Sequence, residues 1–155
     1  MLRSLLLSVL LAVGVSAWDH FEFDITLICS YSDRDHYNLK AEWYEVDTLS
    51  GEDQISQPMF LKPKPGTYSF SMSGALDGDE MLSKGYKPKL YLSHDCTADK
   101  KRVDMTLTIT TLCDIGHTCH YRIIRDITND WGNYEMAAND FKPEMTPFPD
   151  FQETI

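Results

Sequence analysis

Phe21-Glu22-Phe23-Asp24-Ile25-Thr26-Leu27-Ile28-Cys29 decides the fold class of this chain. Phe21, Phe23, Ile25, Leu27 and Cys29 share one parity, and Glu22, Asp24 and Thr26 oppose them. A helix brings residues three and four apart to one face, whereas a strand brings together every second residue. The stretch is therefore a half-buried strand. The same period recurs in Leu39, Ala41 and Trp43 against Lys40 and Glu42, and in Tyr68, Phe70 and Met72 against Thr67, Ser69 and Ser71. Leu90 and Leu92 alternate with Lys89, Tyr91 and Ser93, and Val103, Met105, Leu107 and Ile109 alternate with Asp104, Thr106, Thr108 and Thr110. Cys119, Tyr121 and Ile123 continue the pattern. Turn signals stand between the runs at Pro58, Lys62-Pro63-Lys64-Pro65-Gly66, Asp77-Gly78, Gly85, Pro88 and Asp114-Ile115-Gly116. Six or seven short strands punctuated in this way predict an all-β, two-sheet antiparallel β-sandwich. One short helical turn is expected around Ser50–Gln54, with Ser50 as its cap.

Outward from these strands, the N-terminus reads as a secretory leader. Arg3 supplies a positive end, Leu5 to Val13 a short apolar run, and Val15-Ser16-Ala17 the small residues of a cleavage site. The run falls short of the ~20 apolar residues that span a bilayer. Residues 1–17 are thus expected to be a signal peptide, 18–141 the sandwich domain, and 142–155, with Pro143, Pro147 and Pro149, a loose tail. Secretion gives Cys29, Cys96, Cys113 and Cys119 an oxidising compartment, in which four cysteines predict two disulfides. A zinc site with His94, His117 and His120 is disfavoured, because Cys113 and Cys119 lack paired C-x-x-C spacing and thiolates rarely stay reduced outside the cell. No metal and no cofactor are expected, and no N-x-Ser/Thr sequon is present.

Of 155 residues, 14 are Lys or Arg and 24 are Asp or Glu, for a formal charge of −10. Such an acidic chain is not a nucleic-acid binder, which carries a basic face. At 43% hydrophobic and 12% aromatic it is also too apolar to remain disordered. The charge is unevenly spread. Residues 62–102 hold eight basic and five acidic side chains, whereas acids dominate on both sides. Lys62, Lys64, Lys84, Lys87, Lys89, Lys100, Lys101 and Arg102 form a candidate patch for an anionic partner, if they converge on one loop end. Ordinary solvated lysines are the alternative. His94 shares parity with Leu90 and Leu92, so it is expected to point inward as a structural histidine.

Several pieces resemble the secreted nematode transthyretin-like family. They are Ile25-Thr26-Leu27-Ile28-Cys29, Ala41-Glu42-Trp43-Tyr44-Glu45-Val46-Asp47-Thr48-Leu49, Gly66-Thr67-Tyr68-Ser69-Phe70 and, most specifically, Lys87-Pro88-Lys89-Leu90-Tyr91-Leu92-Ser93-His94-Asp95-Cys96. The resemblance covers residues 24 to 96. Beyond that, two registers compete: one takes Lys101 to Ile109 as the family's next strand with Asp114-Ile115-Gly116 as its turn, the other takes Cys119-His120-Tyr121-Arg122 as its Cys-x-Arg element. The resemblance implies a transthyretin-like (Ig-like) sandwich, and its second register implies the pairs Cys96–Cys119 and Cys29–Cys113.

It also implies a secreted, non-enzymatic binding or adaptor module acting at the cell surface or in the extracellular space. An extracellular protein, a glycan or an anionic lipid headgroup are the partner classes, and exposed aromatics among Trp43, Tyr44 and Tyr91 would anchor contacts. The alternative is a homo-oligomeric carrier holding a small apolar ligand between subunits. A hydroxyisourate hydrolase of the same shape is disfavoured. Such enzymes end in Tyr-Arg-Gly-Ser, whereas this chain ends Phe151-Gln152-Glu153-Thr154-Ile155, and no acid–base pair assembles from its residues.

Overall fold

The computed structural model describes residues 18–46, 51–77 and 85–137. The expected leader at 1–17, the expected tail at 142–155 and Lys84 lie outside the described residues. Among those described are nine strands and no helix: β1 (Trp18–Cys29), β2 (Leu39–Val46), β3 (Glu52–Gln54), β4 (Met59–Leu61), β5 (Gly66–Asp77), β6 (Pro88–His94), β7 (Val103–Ile109), β8 (Cys119–Asp126) and β9 (Gly132–Met136). They form a three-stranded sheet in the order β5-β1-β8 and a larger sheet in the order β3-β2-β6-β7-β9, with β4 also pairing β2.

Parity becomes burial. In β1, Phe21, Phe23, Ile25, Leu27 and Cys29 are all buried, as are Leu39, Ala41 and Trp43 in β2 and Met105, Leu107 and Ile109 in β7. The inward rows of both sheets interdigitate. Phe23 stacks on Trp43 of the opposite sheet with ring centroids 3.8 Å apart, and on Tyr121 of β8 at 5.7 Å. Burying such aromatic faces, each worth roughly 1.5–3 kcal/mol or more, holds the two layers together as a sandwich. The segment after β3 joins them at one edge: the Ile55 amide donates to the Trp43 carbonyl at 2.9 Å, and the Ile55 carbonyl accepts from Ala75 of β5 at 3.2 Å. Only glycine fits beside it. A Cβ on Gly74 would lie 2.0 Å from the Ile55 carbonyl oxygen.

Three expectations are corrected. The sheets are mixed and not purely antiparallel: β8 runs parallel to β1, and β9 parallel to β7. The chain crosses between sheets after β7 and again after β8, so each arriving strand pairs with one that is not its chain neighbour, and the crossing sets its direction. The helical turn over Ser50–Gln54 is also absent where the structure describes it. Glu52–Gln54 is β3, paired antiparallel with β2, and Ser50 lies outside the described residues. The backbone groups on the free edge of β2 win over a single capped turn.

The third correction is the disulfide pairing. Cys29 joins Cys96 and Cys113 joins Cys119, leaving no free cysteine, in place of Cys96–Cys119 and Cys29–Cys113. Strand direction is the reason. Cys119 pairs in register with Phe21, eight residues along β1 from Cys29 and thus from the Cys96 that Cys29 holds. At ~3.3 Å per residue that is roughly 26 Å, far beyond the ~7 Å Cα reach of a disulfide.

One end of the sandwich gathers four connections, at 30–38, 62–65, 95–102 and 127–131. Tyr37 N–H donates to Pro63 O at 3.0 Å, Asn129 N–H to Cys96 O at 2.9 Å, and Ala98 N–H to the Asn129 side chain at 2.8 Å. Arg34 and Asn38 converge on Asp95, with Arg34 Nη2 at 2.8 Å and Asn38 Nδ2 at 2.6 Å from its carboxylate. Burial raises the Asp95 pKa, but the Asn38 hydrogen bonds and the Arg34 charge outweigh it and hold it below the usual carboxylate range.

Candidate functional site: a basic groove at the loop end

Sheet register determines which cations meet. On the outer face of the larger sheet, Phe60 of β4 stands beside Lys40 of β2, Lys40 beside Ser93 of β6, and Ser93 beside Asp104 of β7. Lys62 follows β4 directly, and Lys100 and Arg102 sit on the β6–β7 connection. A groove of about 600 Å³ results, with Lys40, Lys62, Lys100 and Arg102 around Leu39, Phe60 and Leu61. The Phe60 ring is 73% exposed, and Lys40 Nζ lies 5.9 Å from its centroid. Lys100 takes a left-handed φ of 57° at the end of a turn that its own amide closes onto Thr97 O at 3.1 Å. An L-residue enters that region at some cost, so the tight turn dictates the conformation.

The cations differ in how free they are. Lys40 pairs with Glu42 at 2.7 Å. Arg102 lays Nε and Nη2 on Asp104 Oδ1 at 3.1 and 3.0 Å, and Nη2 also donates to Ser93 Oγ. The Ser93 hydrogen bond and the Arg102 charge keep the Asp104 carboxylate below its ordinary pKa despite burial. Among the described residues, Lys62 and Lys100 have no ion-pair partner.

The eight-residue patch divides. Lys62, Lys100 and Arg102 share the groove. Lys64 lines a neighbouring cleft of about 640 Å³ with Ser30, Ser32 and Arg34. Lys101 faces the other side of the hairpin and pairs with Asp99 at 3.0 Å. Lys87 and Lys89 lie at the far end of β6, where Lys89 pairs with Glu52 at 2.8 Å and Lys87 approaches Glu135 at 4.0 Å. Sequence reading missed Lys40 and Phe60. Lys40 carried a visible signal, its outward parity in β2, but only the register with β4 and β6 shows that it joins Lys62.

The histidines do other work. His94 ends β6 and is 1% exposed. Its Nδ1 accepts the Cys96 N–H at 3.3 Å, which leaves the proton of the neutral ring on Nε2. Burial pushes its pKa below the usual 6.5, against the backbone and charge of Asp130 and the charges of Asp95 and Asp104. His117 stays near its own loop at Ile115 O, whereas His120 sits on the outer face of the three-stranded sheet, 2.7 Å from Asp24. No group of three potential metal ligands assembles among the described residues.

Compared with known proteins, the chain matches no family model and no curated relative.

Proposed function

We propose that this chain is a secreted extracellular binding module of the transthyretin-like type, which engages an anionic group on its partner through the loop-end groove. The observation that carries this reading is the meeting of Lys62 and Lys100, both without ion pairs among the described residues, beside Arg102 over the apolar Leu39, Phe60 and Leu61, with the one lining carboxylate, Asp95, held by Arg34. A phosphate or carboxylate accepts charge-assisted hydrogen bonds from such cations, and the apolar floor takes the adjoining hydrocarbon. Two disulfides and the leader-like N-terminus support an extracellular setting. The role has no catalytic step; His94 is committed to the Cys96 backbone.

Vesicle flotation at about 0.1 M salt, with and without anionic lipid, tests the reading. Wild type is expected to float only with anionic vesicles. Lys62→Glu combined with Lys100→Asn should abolish this, and Asn suits the left-handed turn at position 100. Indifference of the wild type to anionic lipid and to an immobilised sulfated polysaccharide, or undiminished binding by the double variant, would refute the proposal.

A further inference from the structure

A second cleft lies across the same hairpin from the basic groove. It encloses about 520 Å³ and is lined by Thr97, Asp99, Lys101, Arg102, Asp104, Asn129 and Trp131, among others. Trp131 directly precedes β9, whose first residue pairs with Met105, and it lines the cleft together with Asp104. It is 60% exposed in a concave site, at the cost of leaving a large apolar surface in water.

The rim is polar and mixed. It carries two carboxylates, Asp99 and Asp104, against two cations, Lys101 and Arg102, and these pair with each other at 3.0 Å in both cases. The rim is thus electrically balanced, in contrast to the basic groove. Donors and acceptors remain available: the Asp104 carboxylate receives its bonds on Oδ1, and Arg102 spends Nε and Nη2, so Oδ2 and Nη1 are unengaged among the described residues. Asn129 is fixed by Ala98 N–H and the Tyr31 hydroxyl, and Asp99 by Thr97 and the Lys101 amide. The Asn129 bonds tie the 95–102 and 127–131 connections together, and the charged rim side chains stand exposed above them.

We infer that this cleft is a site for a neutral saccharide, with a pyranose ring stacked on Trp131. A pyranose with equatorial hydroxyls presents apolar C–H faces and a periphery of groups that both donate and accept. An exposed indole supplies the flat apolar counterpart, and a planar guanidinium beside a carboxylate supplies donors and acceptors for adjacent hydroxyls. Charge balance excludes a strong preference for anionic or cationic ligands. A lipid tail would use the indole but gain no hydrogen bonds from the polar rim, whereas a saccharide uses both.

Titration of the oxidised protein with tetrasaccharides of β1,4-linked glucose and of β1,4-linked N-acetylglucosamine, and with lactose, followed by calorimetry and tryptophan fluorescence, tests the site. At least one probe is expected to bind, with Trp131→Ala weakening it tenfold or more. Trp131→Phe should retain most of the affinity, because the flat face is kept. Trp18→Ala controls for the other exposed indole, and the Lys62→Glu/Lys100→Asn variant should bind the saccharide normally, which separates this site from the basic groove. Failure of all three probes to bind wild type at millimolar concentration, or equal binding by Trp131→Ala, would overturn the inference. So would loss of vesicle binding, in place of saccharide binding, on Trp131→Ala.

Discussion

His94 shows how one buried side chain ties folding to proton concentration. The folded protein holds the ring neutral, and burial keeps its pKa below 6.5, the value it regains on unfolding. Below pH 6.5 the unfolded chain therefore binds a proton that the folded chain refuses. Stability then falls as pH falls, by at most about 1.4 kcal/mol per pH unit, until the folded pKa is reached. Asp95 acts in a separate window. Its lowered pKa contributes stability that is present above its ordinary 3.8 and is lost as pH falls through its folded value. Urea midpoints measured from pH 8 to pH 4.5 are expected to be flat above neutrality and to slope below pH 6.5. His94→Asn, whose amide oxygen still reaches the Cys96 amide, should lower the whole curve but remove that slope. A slope of equal size in the variant would assign the effect to another group.

At the level of strands and cross-links, the two disulfides are unequal because they close chain segments of different length. Cys29–Cys96 spans 67 residues and links the end of β1 in one sheet to the end of β6 in the other. Cys113–Cys119 closes a span of six. Restricting the unfolded chain is worth about 4 kcal/mol for the first and about 2 kcal/mol for the second. Chemical denaturation of Cys29→Ala/Cys96→Ala and of Cys113→Ala/Cys119→Ala should rank them in that order, and the reverse ranking would show that native packing dominates. These pairings were not legible in the sequence, because they depend on β8 entering beside β1 in parallel. The strands themselves were legible where alternation was long: β1, β2, β6, β7 and β8 each bury the parity that their residues announce. In contrast, β3 and β4 have three residues each and β9 five, too few to carry a period, and they exist because a neighbouring edge offers hydrogen bonds. The site follows the same rule. Lys62, Lys100 and Arg102 were visible as a concentration of charge, but Lys40 and Phe60 join them only through register.

For the molecule as a whole, the proposed groove poses an electrostatic problem, since a chain of formal charge −10 has to approach an anionic surface. Range resolves it. At 0.01 M salt the Debye length is about 30 Å, and a surface senses the summed negative charge of the whole sandwich along with the groove. Near 0.1 M it shrinks to about 10 Å, similar to the spacing of two packed sheets, so only the charges at the loop end act. At the groove itself Lys62 and Lys100 are without ion pairs among the described residues, whereas the lining carboxylate of Asp95 is held by Arg34 and that of neighbouring Asp104 by Arg102; Asp33 and Asp35 lie on the adjoining 30–38 connection. By 1 M, at about 3 Å, the groove is screened too. Binding to anionic vesicles should therefore pass through a maximum between 0.05 and 0.2 M, to order of magnitude, instead of declining steadily from the lowest salt. A salt series in flotation or light scattering measures this directly. A monotonic fall from 0.01 M would mean that the groove's cations outweigh the net charge even at long range. Binding that rises up to 1 M would point to apolar contact through Phe60 alone.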